Sequence, residues 1–491
     1  MTQHLPVLQV VVPLLAAPLC VLLRAPRAAW GLFLAAALLS LGCAVALLRH
    51  VAAEGPLRYA LGGWAPPAGI EYVIDAANAY VLVLVSLVAA VTALYARHSI
   101  EAEIEGRRVY AYYACLCLCL TGLLGIVATG DAFNLFVFLE ISALSTYVLV
   151  AMGRRRQALL AAFRYLVLGT IGATFFLIGI GLAYALTGTL NMADLAERLA
   201  PLHGSRTLIA AAAFVATGLA LKMALFPLHS WLPGAYAEAP SAASAFLSAT
   251  ATKVAIYAFA RMAFTVFGAA LVFESLPGRD VGVLLGAAAM LAGAAVACVQ
   301  DDFKRLLAWS SVGQIGYIVV GLSLASTAGV AAGYLHLFNH AIIKCALFCA
   351  AGAVLLHLGS TRLEAFAGLG QRMPYTFAAI VIGGLGLIGV PFTAGFVSKW
   401  ALVQALVEQR AWAVVAAVLA SSLLALVYVG RVVEIGWFRE PPAGAPAAPL
   451  PRSMAAAIWA LVALNLYLGL DSSRIGGFAD AAARALLGSA P

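Results

Sequence analysis

The sequence predicts an all-α protein that crosses a membrane many times, and three observations lead to this fold class. The 491 residues are 64% hydrophobic and 10% charged, with a mean hydropathy of +1.00, which excludes a water-soluble globular protein. Apolar windows of bilayer-spanning length recur along the chain, and we count about 14 of them. Two are over-long and interrupted by proline. The windows lie near residues 5–24, 29–48, 71–96, 109–129, 131–152, 158–186, 207–236, 242–265, 281–299, 304–323, 329–358, 375–409, 411–433 and 453–470.

Positive charge is distributed unevenly between the connecting loops. The net charge is +8, and 24 Lys and Arg remain when Arg164 and four lysines inside apolar windows are set aside. Fifteen of them fall in alternate loops and nine on the other side. Because cationic loops stay in the cytoplasm, both termini are expected outside it, and the excess charge is a topology signal rather than a sign of nucleic-acid binding. The fifteen are Arg24, Arg27, Arg97, Arg107, Arg108, Arg154, Arg155, Arg156, Lys304, Arg305, Arg362, Arg372, Arg431, Arg439 and Arg452.

Neither the first window nor the cysteines indicate a different class of protein. Residues 5–24 have the length of a signal peptide, but Arg24 and Arg27 follow the apolar stretch, which favours a retained first helix. The eight cysteines show no CxxC pair and are best interpreted as small hydrophobic residues. No nucleotide-binding motif is visible either, so we expect no cofactor and no redox centre in this chain.

The two interrupted windows predict the architecture. In 207–236, Pro227 and Pro233 follow Lys222, and in 375–409, Pro391 precedes Lys399. Proline breaks the helical hydrogen-bond ladder, and such breaks persist in membranes only where they are buried or face water. Windows four and nine start about 172 residues apart, which suggests two five-helix repeats, each with a broken fourth helix. An odd number of helices makes the second repeat enter the membrane from the opposite side, as is usual in secondary transporters.

This repeat divides the chain into four predicted parts. They are an N-terminal three-helix segment (1–108), a first repeat (109–265), an inverted second repeat (281–433), and a C-terminal helix and tail (434–491). Each repeat is expected to form a proton half-channel. The alternative, that both breaks are incidental kinks, stays open at this point.

Five ionisable residues lie in apolar stretches where almost nothing else carries a charge, and they carry the functional interpretation. A charged group at a helix centre costs about 2.5–3.5 kcal/mol on insertion scales, so five of them indicate a path for ions, most simply protons. All lie near the middle of a window or beside a break. They therefore form a row along the membrane plane rather than a pore along its normal. The five are Glu140, Lys222, Lys253, Lys344 and Lys399.

Glu140 and Lys222 are the best candidates for an ion pair. A buried carboxylate keeps a neighbouring ammonium charged, and separating the two favours the neutral amine. Forming and breaking the pair would therefore load and release a proton. A purely structural salt bridge is the alternative. Lys253 has no acidic neighbour within its own window, so water must solvate its charged form.

Window eleven adds a connecting stripe. His336, His340 and Lys344 are spaced by four residues, which places them on one helix face. Two imidazoles and an amine suit proton transfer through water, since histidine titrates near neutrality. Satisfied core histidines are an alternative. A metal site is disfavoured because no third ligand lies nearby. His229, after Pro227, either relays protons or caps the broken helix.

Four further side chains on window ten have two possible roles, hydration of the path or helix packing. They are Ser310, Ser311, Gln314 and Tyr317. Asp75 and Asp131 are interpreted as helix-capping groups or as groups at the membrane–water interface. The long side chain of Arg164 is expected to extend to that interface.

Several strings resemble the antiporter-like subunits of respiratory complex I and of Mrp-type cation/proton antiporters. They are GDAFNLFVFLEISALSTYVLVAMG, LALKMALFPLHSWLPGAYAEAPSAASAFLSATATKVAIYAFAR, QDDFKRLLAWSSVGQIGYIVVGL and HLFNHAIIKCALFCAAG. The resemblance extends over nearly the whole chain. It implies a 14-helix fold with inverted repeats, in a bacterial cytoplasmic membrane, within an assembly of several membrane subunits. It also implies that the family's proton-transfer groups fall on Glu140, Lys222, Lys253, His336, His340, Lys344 and Lys399.

Departures from the family pattern narrow this expectation. Lys399 stands where one complex I subtype has glutamate, and the chain lacks the long lateral helix of the largest subunits. These features make it look most like the D subunit of an Mrp-type antiporter, with protons and monovalent cations such as sodium as the transported ions. Arg164 replaces a lysine that many relatives carry, and arginine releases protons poorly. The rival is a proton-pumping subunit of an NADH–quinone oxidoreductase or a membrane-bound hydrogenase.

Overall fold

The computed structural model describes residues 2–441 and 449–488, and these residues are almost entirely helical. The first ten helices are α1 (Leu5–Leu23), α2 (Pro26–Glu54), α3 (Ala76–Glu103), α4 (Val109–Ala128), α5 (Ala132–Ala151), α6 (Gln157–Thr187), α7 (Met192–Leu199), α8 (Arg206–Lys222), α9 (Leu232–Glu238) and α10 (Ser241–Ala260). The others are α11 (Gly278–Cys298), α12 (Phe303–Ser323), α13 (Thr327–Leu358), α14 (Leu369–Arg372), α15 (Pro374–Ile388), α16 (Ala394–Glu408), α17 (Trp412–Val433), α18 (Arg452–Leu470) and α19 (Ser473–Leu487).

The number of membrane crossings agrees with the prediction. Within the described residues, 12 helices are long and apolar enough to span a bilayer. The two remaining windows, 207–236 and 375–409, each form a pair of shorter helices, α8 with α9 and α15 with α16. Twelve continuous and two broken helices account for the 14 windows, so the predicted fold class is confirmed.

Both interruptions are complete breaks, so the interpretation as incidental kinks is wrong. α8 ends at Lys222 and α9 begins only at Leu232, and Pro227 lies in between. α15 ends at Ile388, where Gly389 takes a left-handed conformation (φ +87°), and Pro391 precedes the start of α16. Proline in such a segment cannot donate the backbone hydrogen bond that a continuous helix would need.

The third window differs from its prediction at its beginning. Strand β1 (Leu57–Ala60) pairs antiparallel with β2 (Glu71–Ile74), so residues 71–74 are strand rather than helix. α3 starts after Asp75, whose carboxylate accepts hydrogen bonds from the amides of Ala77 and Asn78. This N-cap fixes the start of the helix and confirms the capping interpretation of Asp75.

Two isolated β-bridges show that the second half of the bundle is inverted. Asp131, the N-cap of α5, bridges Asn191, and Asp302, the N-cap of α12, bridges Arg362. Each residue of the second bridge lies 171 residues after its counterpart in the first bridge, so the two bridges are equivalent positions of a repeat. The first bridge lies at the hairpin, where the Gly130 amide donates to the Glu71 carbonyl.

The second bridge lies at the other end of the bundle. Beside Asp302, Lys304 donates to the Ala239 carbonyl, and Glu103, at the far end of α3, accepts from the Ser241 amide. We call the end that carries β1 and β2 the hairpin face, and the end that carries Glu103, Ala239 and Lys304 the opposite face. Equivalent turns therefore lie on opposite faces, as inverted repeats require. The four-part division of the chain stays a prediction.

Helices α7 and α19, like the four-residue α14, lie outside the predicted windows. α7 and α19 are short and amphipathic, and α19 packs against α3 and α13. The residues after the last window thus form a helix rather than only a tail.

Candidate functional site

Glu140 and Lys222 form the ion pair that the sequence predicts. Their Oε1 and Nζ atoms are 3.2 Å apart, and the side chains are 25% and 8% exposed. Glu140 lies near the middle of α5, whereas Lys222 is the last residue of α8. A charge pair thus stands directly at the first helix break.

The backbone beside Lys222 is held by an indole. Trp231 Nε1 donates at 2.9 Å to the Leu221 carbonyl, which also accepts from the Ala224 amide at 3.2 Å in the last turn of α8. The Trp231 ring stacks on Tyr165 of α6, with centroids 4.0 Å apart and planes 3° from parallel. The break is therefore a rigid support for the Lys222 side chain.

A small cavity adjoins Lys222 on the side of α10. It has about 30 Å³ of space and is lined by residues of α4, α5, α6, α8 and α10. Its polar lining includes Ser142, Thr146 and Tyr165, and α10 contributes Ala251 and Ala255, which flank Lys253 in sequence. A space of this size with several polar groups in its lining can hold water, so it can link Lys222 to the helix that carries Lys253.

Lys253 is fully buried and has no carboxylate partner among the described residues. Its ammonium donates to the Ser248 carbonyl and to Thr252 Oγ1, both on its own helix. These neutral oxygens hold the amine in place without neutralising a charge.

The histidine stripe on α13 lies in the core as predicted, with two different environments. The rings of His336 and His340 are nearly parallel, 6.0 Å apart. His336 uses both nitrogens, with Nδ1 2.9 Å from Ser398 Oγ and Nε2 2.9 Å from Gln314 Oε1. Neither nitrogen of His340 has a partner in the described part of the chain.

Lys344 and Lys399 are both held by carbonyl and hydroxyl oxygens. Lys344 donates to the Leu307 carbonyl at 2.6 Å and to Ser310 Oγ. Lys399 donates to the carbonyls of Leu387 and Ile388, at 2.8 and 3.1 Å, and to Ser422 Oγ at 3.0 Å. Its ammonium also lies 4.6 Å from the centre of the Tyr317 ring.

Tyr317 connects the last lysine to the histidines. Its ring is 5.3 Å from the ring of His336, and its hydroxyl lies 3.5 Å from Ser422 Oγ. Of the four polar residues on window ten, Gln314, Tyr317 and Ser310 therefore contact the predicted row directly. Ser311 instead donates to its own helix, at the Leu307 carbonyl.

His229 lies in the first break and faces the second half of the bundle. Its ring is 5.1 Å from those of Phe226 and Trp309, and its Nδ1 atom is buried without a partner in the described residues. Whether His229 relays protons stays a prediction.

One buried ion pair and one buried ammonium were not predicted. Arg261 pairs with Asp75, and Lys304, expected in a loop, is buried with its ammonium on the Ala239 carbonyl. The spacing of Arg261, eight residues after Lys253 on one helix face, is the signal that could have shown the first. Across the described residues, no three His, Cys, Asp or Glu side chains come together as a metal site would need.

The chain has relatives in one family of membrane proteins. Residues 129–425 match the family model described as NADH:quinone oxidoreductase/Mrp antiporter, TM. NADH-quinone oxidoreductase subunit N of Desulforudis audaxviator is 43% identical over 97% of both chains. The D subunit of the Na(+)/H(+) antiporter of Alkalihalophilus pseudofirmus is 34% identical over 77% of this chain and 76% of its own.

A solved structure is similar over the same length. A chain in the Mrp complex from Dietzia sp. DQ12-45-1b superposes with a TM-score of 0.89 at 28% identity, covering 99% of this chain and 97% of the other. Relatives with antiporter names and with oxidoreductase names are thus both similar to this chain.

Proposed function

Because the chain belongs to the NADH:quinone oxidoreductase/Mrp antiporter family as a multi-pass, antiporter-like membrane subunit, we propose that it carries protons along a row of buried side chains. The observation that carries this proposal is the contact between Glu140 and Lys222 at a helix break. A structural salt bridge alone would not need five further buried lysine or histidine side chains beyond it. The row is Glu140, Lys222, Lys253, His340, Lys344, His336 and Lys399, with His229 as an additional relay.

The first step of the proposed path is the opening of the ion pair. An ammonium without its carboxylate is costly in an apolar interior, so Lys222 then gives up its proton or draws in water. The cavity beside Lys222 supplies room for that water, and the proton passes toward Lys253 on α10. When Glu140 returns, Lys222 takes up another proton.

The second half of the path uses the contrast between the two histidines. His340 has both nitrogens free of partners in the described residues, so its ring can take a proton on one nitrogen and release one from the other. His336 is fixed between Ser398 and Gln314, and Tyr317 and Ser422 continue from it to Lys399. This order supports transfer from the centre of the membrane toward the second break.

The finer assignment is one component of a multisubunit monovalent cation/proton antiporter. The similarity to the D subunit of an Na(+)/H(+) antiporter and to a chain of an Mrp complex supports it. In this proposal other membrane subunits are the partners, the two five-helix repeats form half-channels, and sodium export is driven by proton entry. We place the protein in a bacterial cytoplasmic membrane with both termini outside the cytoplasm, as the positive loops indicate.

A second candidate is supported by a specific observation. Identity to an oxidoreductase subunit N is 43% over 97% of the chain, higher than the 34% over 77% that the chain shares with the antiporter relative. In that case the same row would move protons while redox chemistry in partner subunits drives it. The proton path is common to both candidates, and only the driving reaction differs.

One experiment separates the candidates and tests the shared path. Vesicles that carry the whole assembly are prepared with and without this chain. Collapse of an imposed pH gradient is followed on addition of sodium, and formation of a pH gradient is followed on addition of NADH with a quinone. Sodium-dependent collapse that needs this chain supports the antiporter, and NADH-dependent proton pumping supports the oxidoreductase. Proton movement that is the same with and without the chain would overturn the proposed function.

A further inference from the structure

Asp75 and Arg261 form a two-pronged ion pair at the hairpin-face end of α10. Arg261 Nη1 lies 2.8 Å from Asp75 Oδ2, and Nη2 lies 2.8 Å from Oδ1. Both side chains are largely buried, at 10% and 13% exposure. The pair joins α3 to the end of α10, 186 residues away in sequence. Such parallel hydrogen bonds fix geometry as well as charge.

Arg261 lies on the same helical stripe as the central lysine. Lys253, Tyr257 and Arg261 follow each other at spacings of four, so they stand above one another from mid-membrane to the hairpin face. The Tyr257 hydroxyl accepts from Arg261 Nε at 3.1 Å and donates to the Val127 carbonyl at 3.1 Å. Arg261 also lies over the Tyr257 ring, 5.5 Å from its centre.

This end of α10 is saturated with hydrogen bonds. The Val127 carbonyl accepts from both Tyr257 and Asn78, at 3.1 Å each. Asp75 accepts from Arg261 and from the first turn of α3. Asp75, Asn78, Tyr257 and Arg261 thus hold one another through protein partners, whereas the buried Tyr334 hydroxyl near them has none among the described residues.

At the opposite end of α10, several buried polar atoms lack hydrogen-bond partners in the described part of the chain. Ser241 Oγ, Glu238 Oε2 and Tyr95 Oη are buried there without partners among the described residues. Ser244 and Ser248 continue from Ser241 toward Lys253 along α10. Buried polar atoms without protein partners are the usual positions of internal water. At the hairpin-face end, by contrast, the last residue of the α10 stripe is held in a two-pronged ion pair.

We propose that the Asp75–Arg261 pair, with Tyr257, is an insulating plug that closes the proton row toward the hairpin face. An arginine keeps its positive charge, so it repels a proton that approaches from Lys253 and cannot pass one on. The Tyr257 proton is engaged by Val127. Protons at Lys253 therefore leave sideways toward α13, and direct leakage to the hairpin face is prevented. The inference rests on the proposed proton path.

The test is passive proton permeability of vesicles that carry the whole assembly, measured without sodium, NADH or any other driving reaction. Asp75→Asn removes the carboxylate charge but keeps a good N-cap for α3. Arg261 then has no counter-charge, and an unpaired buried guanidinium leaves its position or draws in water, which opens the plug. We expect the passive leak to rise several-fold while the amount of assembled complex stays the same. A merely structural pair would change assembly or melting temperature without a leak per assembled complex.

Asp131→Asn is the matched control. Asp131 caps α5 on the same face, where the Asn134 amide donates to its carboxylate, and among the described residues it pairs with no Arg or Lys. The same charge loss there should leave the leak at the wild-type level. If Asp75→Asn fails to assemble, the passive leak is measured for Arg261→Lys instead, because lysine keeps the charge but loses the two-pronged geometry.

An assembled Asp75→Asn or Arg261→Lys complex that leaks no more than Asp131→Asn would overturn the plug. Failure of the proposed function would be recognised separately, since the wild-type assembly would then show no driven proton movement at all. The leak comparison between the Asp75 and Asp131 variants would still stand in that case.

Discussion

The ammonium of Lys399 on α16 lies 2.8 Å from the carbonyl oxygen of Leu387 at the end of α15. The break between these helices thus supplies the acceptors for a buried lysine, because the last carbonyls of a helix have no partners within it. Their partial negative charge also favours a cation at that position. Lys222 at the first break has a carboxylate instead. The two breaks therefore hold their lysines by different means.

Replacing Lys399 by glutamate should strongly impair driven proton movement. Lys399→Glu places a carboxylate against the Leu387 and Ile388 carbonyls, and it removes charge-assisted hydrogen bonds of about 1.5–3 kcal/mol each. The measurement is driven pH-gradient collapse in vesicles over a pH series. Gln404→Glu, an exposed position on the same helix, is the control and should retain activity. Unchanged activity of Lys399→Glu across the series would show that any titratable group suffices there.

The two histidine interpretations predict opposite results for His340. Since neither ring nitrogen has a partner among the described residues, His340→Phe removes no hydrogen bond and should leave the melting temperature of the complex nearly unchanged. Driven proton movement should nevertheless fall to a small fraction if the ring relays protons. Both quantities are measured on the same purified assembly. A core histidine without a transfer role would leave the proton movement intact.

Close packing across the second break gives a prediction about stability. A Cβ atom on Gly395 would lie 1.8 Å from the Gly386 carbonyl oxygen, so Gly395→Ala must push α16 away from α15. We expect a loss of about 1–3 kcal/mol, as for overpacked cores, seen as a lower melting temperature. Gly430→Ala on α17, where a Cβ meets open space, is the control. Equal melting temperatures of the two variants would contradict the packing.

Local sequence signals predicted the parts of the site that depend on one helix or one break. The prolines at 227 and 391 marked the interruptions, and the spacing of His336 and His340 placed both rings on one face. The β-hairpin before Asp75 was missed because its second strand continues directly into an apolar helix, so hydropathy alone merges them. The Asp75–Arg261 and Lys399–Leu387 contacts depend on how distant or broken segments meet. The spacing of Arg261 after Lys253 indicates the helix face on which Arg261 lies, but residue type and spacing do not identify the partner of either Arg261 or Lys399.

The central claim is that the Glu140–Lys222 pair works in proton transfer rather than only in holding α5 to α8. The most direct test is Glu140→Gln, which keeps the size and hydrogen-bonding ability of the side chain but removes its charge. Glu105→Gln is the control, because Glu105 is exposed and lies beside Arg107 at the surface.

Driven proton movement per assembled complex is measured for both variants in vesicles. The account predicts that Glu140→Gln assembles normally and loses driven proton movement, while Glu105→Gln keeps it. Full proton movement in an assembled Glu140→Gln complex would contradict the account.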